Sequence, residues 1–205
     1  MIGGRPFNIS SSEARAAWEM VIGATLPVSI KLEVADLPAG HLGETRFVPG
    51  GNGGALAGTI VIDINGDGAG WFLDTTPLDD REFDDDAPAL SGYDLLTVLM
   101  HEIGHLSGFS SQVPTFAARV ATTGDGAPRF VGDDFEALLS SDGNHLSDAT
   151  YPGDLMGHEL SVGQRRLPSV IDAEILRALW SLADDADETE ADDYAVAVDA
   201  ALGDW

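Results

Sequence analysis

His101, Glu102 and His105 occur as H-E-x-x-H within HEIGH. On an α-helix, residues four apart project from one side, so the two imidazoles can each offer a nitrogen to a single metal ion. Glu102 flanks that face. Its carboxylate can hold a water beside the metal rather than ligate it, which makes Glu102 the candidate general base. Zinc suits such a set, because it brings the pKa of a bound water toward neutrality and polarises a carbonyl without any Ser or Cys nucleophile. The chain has no cysteine, so further ligands must come from His, Asp or Glu. A catalytic zinc keeps three protein ligands and an open position. The residues alone leave the third place open among His145, His158, His41, Asp148 and a downstream glutamate. Glu174 in that place would make the site a glutamate-ligand zincin.

The elements that must position these groups follow from local pattern. Residues 91–107 have helical periodicity, with Leu95, Leu96, Leu99, Ile103 and Leu106 on an arc opposite the two histidines, and Gly108 follows as a left-handed stop. One face of that helix packs while the other looks into a cleft. Residues 10–22 predict a first helix. The alternation in residues 28–34 predicts a strand with Val28, Ile30, Leu32 and Val34 on one half-buried face. Residues 38–57 are rich in Gly and Pro around a short apolar island at Phe47 and Val48, and the β-branched run 58–64 predicts a second strand. Residues 65–88 read as a long loop with a brief strand at 71–73, and short helices are expected near 115–121 and 133–140. Ser169 with Asp172 opens a last amphipathic helix, whose Ile175, Leu176 and Leu179 face the core. Residues 1–183 thus read as one α+β catalytic domain, and 184–205 as an acidic linker with a short terminal helix.

The extended motif HEIGHLSG, through His101, Glu102, His105 and Gly108, resembles that of the metzincin metallopeptidases. Ser111 stands where the short form of that family places its last ligand, and a serine does not fill that role. The chain looks like the leishmanolysin branch, in which a long insertion separates the glycine turn from the third histidine and a methionine turn follows. That resemblance implies His145 as third ligand and Met156, eleven residues on, as the apolar floor of the site. Tyr151 precedes that turn rather than following it. The fold implied is a small twisted mixed sheet with a backing helix and the zinc helix, above an irregular lower part that ends in a helix. The run 58–64 would be the edge strand that pairs with extended substrate. The activity implied is zinc-dependent endopeptidase hydrolysis of protein or peptide substrates through a metal-activated water, in an extracellular or secreted setting. The alternative from another class is a non-catalytic, zinc-stabilised recognition module of a larger surface protein. Glu102 argues against it, since a purely structural zinc has no use for a carboxylate beside an open position.

Asp63, Asn65, Asp67, Gly68 and Asp74 fall at the spacing of an EF-hand calcium loop. However, a strand rather than a helix leads in, so a turn that favours Asn-Gly and Asp-Gly is the preferred reading and calcium the lesser one. The net charge of −25 argues against nucleic acid and anionic membrane surfaces as partners. No stretch approaches the roughly 18 apolar residues of a spanning helix, so membrane insertion is not expected.

Overall fold

A computed structural model describes residues 11–48, 56–74, 81–83, 91–122, 124 and 126–180, so the acidic segment 184–205 lies outside the described residues. The architecture is mixed α+β. Helix α1 (Ser11–Ile22) leads into strand β1 (Val28–Ala35), followed by β2 (Gly43–Phe47) and β3 (Leu56–Asp63). Strand β3 lies between the other two, parallel to β1 and antiparallel to β2. The order corrects the expectation that the run 58–64 forms the edge. Ile60, Val61 and Ile62 are all buried, and a run apolar on both faces is the signature of a central strand. The edges are β1 and β2, and β2, with sequence GETRF, carries exposed Glu44 and Arg46 and little β-branching, so its sequence announces no strand. On β1 the buried face ends early: Val28 is enclosed and Ile30 half-buried, whereas Leu32 and Val34 are 40% and 46% exposed.

Short strands β4 (Trp71–Phe72) and β5 (Tyr93–Asp94) pair in parallel just before helix α2 (Leu95–Leu106). The helix begins later than its periodicity suggests, because Asp94 caps it by accepting from the Thr97 amide and hydroxyl. Gly108 ends it at φ +124°. Trp18 of α1 is fully buried and donates from its indole to the Met100 carbonyl of α2 at 2.7 Å. Helix α4 (Val170–Trp180) opens with the expected reciprocal Ser169–Asp172 box, and its Arg177 donates to the Val21 and Ile22 carbonyls at the end of α1. Leu146, Leu155, Met156, Ile175 and Leu176 share this core.

Between α2 and the third histidine, α3 (Pro114–Ala117) is one turn long and an antiparallel sheet follows: β6 (Val120–Thr122), β7 (Pro128–Val131) and β8 (Glu136–Leu138). The helix expected at 133–140 is therefore strand β8 and its flanks. Phe135, Ala137 and Leu139 alternate inward there, a period of two that pairing with β7 selects. Phe109, Phe116, Phe130 and Phe135 stack in sequence, with centroids 5.0, 5.2 and 6.0 Å apart, and fill the interior of this segment.

The start of α2 is pinned by a buried ion cluster. The Arg165 guanidinium reaches both Asp94 oxygens at 3.1 Å and Asp74 at 2.5 Å, and lies 4.5 Å above the Phe83 ring. All three charged side chains are 5% exposed or less. The two carboxylates hold the Arg165 pKa above its usual value against the effect of burial, which opposes the charge most. Removing one partner leaves an uncompensated buried charge, so Arg165→Met is expected to destabilise the protein by about 3–5 kcal/mol. Urea unfolding monitored by tryptophan fluorescence measures this.

Candidate metal centre

His101 and His105 lie on the cleft face of α2, and the segment after β8 brings His145 to them. Ring Nε2 of His105 is 3.0 Å from that of His101 and 3.2 Å from that of His145. These are not hydrogen bonds, because each ring commits its other nitrogen as a donor. His101 Nδ1 faces the Leu155 carbonyl at 2.9 Å, His105 Nδ1 the Phe109 carbonyl at 2.7 Å, and His145 Nδ1 the Asp142 carboxylate at 2.7 Å. Those acceptors fix the tautomer with the proton on Nδ1, so three Nε2 lone pairs converge on one point. For metal–nitrogen bonds of about 2.0–2.1 Å, a tetrahedral site places its nitrogens about 3.3 Å apart. The donor set therefore fits zinc.

Burial lowers all three imidazole pKa values, with each ring's effect on its neighbours adding to it: His101 to about 3, His105 and His145 to about 4. The rings are neutral at physiological pH, which is the form that ligates. Burial also opposes ionisation of Asp142, but donors from Ser140, the Asn144 amide and His145 bring it down to about 2, so it stays an anion facing the His145 N–H.

Glu102 is 5% exposed and sits where β2 crosses α2. The Thr45 hydroxyl lies 2.7 Å from its Oε2 and 2.9 Å from its backbone carbonyl. Burial pushes the Glu102 pKa up to about 7; the Thr45 hydroxyl opposes the rise and the charge of Glu44 adds to it. Gly43 is required here, since a Cβ on it would fall 2.7 Å from Glu102 Oε1. Gly104 has a similar duty on the other side, where a Cβ would meet Met156 Sδ at 2.5 Å and Trp18 at 2.8 Å. Met156 is fully buried against the histidine-bearing segment of α2, and its carbonyl accepts from the Leu146 amide, next to His145.

Of the other candidate ligands, His158 groups with Asp142 and His145, its ring edge-on to His145 at 4.9 Å, and it is exposed on the cleft wall. His41 also lines the cleft but directs Nδ1 toward the Pro38 carbonyl. Asp148 accepts from the His158 amide, and Glu174 on α4 belongs to neither His-containing group. The Tyr151 hydroxyl is taken by the Leu138 amide. In the loop after β3, the Asp63 carboxylate accepts from the Leu37, Asn65 and Asp67 amides, and Asp74 pairs with Arg165. Those two residues therefore serve the backbone and the ion cluster.

Sequence reasoning missed Thr45, Asp142, Gly43 and Gly104. Asp142 had a readable signal, three residues before a candidate ligand histidine, because such histidines usually donate their second nitrogen to a carboxylate or carbonyl. Thr45 had none, since its role depends on β2 crossing α2. Gly43, Thr45, His101, Glu102, His105 and His145 line a cleft of about 640 Å³ between β2 and the segment 155–161. Compared with protein-family models, curated proteins and solved structures, the chain finds no match in any of the three.

In the metal-free protein, the ring protons of His101, His105 and His145 are expected to stay at their neutral chemical shifts from pH 8 to pH 5. They should move only as the pH approaches about 4. A proton NMR titration with the single His→Gln variants for assignment checks this.

Proposed function

We propose that the chain is a zinc-dependent endopeptidase with a metzincin-like fold, in which His101, His105 and His145 hold the metal and Glu102 moves protons. The observation that carries this reading is the convergence of three Nε2 lone pairs at 3.0 and 3.2 Å beside a buried carboxylate that is not itself a ligand. When bound, zinc supplies a Lewis acid that polarises the scissile carbonyl and acidifies a water.

The rest falls to the chain. The Glu102 carboxylate takes a proton from the attacking water and returns it to the departing amine. Thr45 fixes the direction of that carboxylate, and Gly43 gives it room. The nearby dication would favour the ionised form of Glu102 against the burial that raises its pKa. Asp142 and the Leu155 and Phe109 carbonyls orient the three ligands, and Met156 backs them with apolar surface.

Substrate affinity is assigned to β2. In its antiparallel ladder with β3, Leu42 and Val48 bond inward with Asp63 and Ala57, so by alternation Gly43, Thr45 and Phe47 turn their N–H and C=O groups outward. These three residues line the cleft. An extended peptide added antiparallel to this edge gains backbone hydrogen bonds with little dependence on its sequence, which suits a peptidase better than an esterase or a small-amide hydrolase. The metzincin resemblance, with the long insertion, the glycine turn and the methionine turn, agrees with this arrangement.

Two variants test the reading. Glu102→Gln should lower kcat/KM on unfolded protein by about 10²- to 10⁴-fold while zinc per chain is unchanged; a variant that still cleaves at the native rate would remove the mechanism. His145→Ala should lose most of its zinc in elemental mass spectrometry. Full retention would remove His145 from the site.

A further inference from the structure

The cleft extends from Glu102 toward the N-terminal half of α2, where Tyr93, Val98, Leu155 and Leu160 form its walls and Arg166 supplies a guanidinium. Arg166 is the one arginine or lysine among the described residues lining the cleft. The acidic groups there include Glu44, Asp67, Glu102 and Glu159. The two consecutive arginines have separate duties: Arg165 is consumed by Asp74 and Asp94, whereas Arg166 faces the cleft.

Arg166 is held on a rigid support. Its amide donates to the Thr97 hydroxyl at 2.9 Å, and Nη1 donates to the Asp154 carbonyl at 2.9 Å. Asp148 forms an ion pair with Nη1 at 3.8 Å, too long for a hydrogen bond, and the buried Nε has no hydrogen-bond partner. A guanidinium offers five donors in a planar fork that matches a carboxylate, and most of this fork is unmatched. Gly157 leaves it space, because a Cβ there would meet Nη1 at 3.0 Å.

The direction of β2 decides which part of a substrate meets this group. Gly43 abuts Glu102, whereas the Arg46 carbonyl and Leu106 both crowd Gly58, so β2 advances along α2 from Glu102 toward Leu106. A peptide antiparallel to β2 runs the opposite way. Its residues after the scissile bond therefore lie over Val98 and Arg166.

We propose that Arg166 is a specificity-determining residue that selects a carboxylate immediately C-terminal to the cleaved bond, carried by an aspartate or glutamate side chain. The inference rests on the peptidase reading. The strongly negative surface sharpens the selection, because acidic residues elsewhere in a substrate are repelled and only the one at this position is paired.

The test uses the full zinc-loaded chain and fluorogenic peptides that differ only in the residue after the cleaved bond: Glu, Gln, Leu or Lys. Two shorter peptides end at that residue, one with a free and one with an amidated C-terminus. The expected result is a kcat/KM for Glu over Gln of about ten- to a hundredfold, the size of a charge-assisted hydrogen bond. That ratio should fall toward one in Arg166→Gln. Arg166→Lys, which keeps the charge but loses the fork, should retain part of it, and zinc content together with circular dichroism establishes that both variants fold. A preference for the free terminus with equal rates for Glu and Gln overturns the side-chain assignment and moves the selected carboxylate to the chain end. Equal rates for Glu and Gln, a preference for Lys, or a Glu preference that survives in Arg166→Gln overturns the inference while the peptidase reading stands. Failure of the native protein to cleave any of these peptides or unfolded protein overturns the peptidase reading and this inference with it.

Discussion

Three neutral imidazoles held with their lone pairs facing one another repel unless something positive lies between them, and the rest of the structure maintains that arrangement. Each ring is locked from behind by an acceptor from a different part of the chain: Leu155 beside Met156, Phe109 just past the glycine stop, and Asp142 in the loop that carries His145. Those acceptors turn each ring so that its Nε2 faces the common point. Burial works in the same direction, because it keeps the rings neutral.

Close approach on both sides of α2 is what turns a surface motif into a site. Gly104 lets Met156 and Trp18 press against the helix from below, and Gly43 lets the edge strand come down on Glu102 from above. Both glycines answer to packing rather than to backbone angle, as neither is among the positive-φ residues. The helix is packed between these two surfaces, and its start is tied down by Asp94, Arg165 and Asp74. Such a buried cluster contributes more to position than to net stability.

The segment between the glycine stop and His145 has its own small sheet and aromatic interior, so it delivers the third histidine from a packed unit. Leu146 bridges both Leu139 and Gly157, and the Ser111 amide donates to the Asn144 side chain. These contacts tie the segment to the exit of α2 and to the turn around Met156 at once. The position of His145 is therefore set by contacts far apart in sequence.

Local chemistry determined much of this protein in advance. The spacing of His101, Glu102 and His105 defined the helix face, the apolar residues opposite defined its packing, and Gly108 and the Ser169–Asp172 box marked helix ends, because all of these depend on neighbours within a turn or two. Family resemblance singled out His145 and Met156, whereas residue spacing alone left the third ligand open among several candidates. Tertiary structure alone decided that β3 is central and β2 the edge over the cleft, that residues 136–138 form a strand, and that Thr45 holds Glu102 in place. The physical reason is the same in each case. Strand order, pairing and second contacts of a side chain depend on partners that adjacent residues do not specify, many of them tens of residues away, and local periodicity carries no information about them.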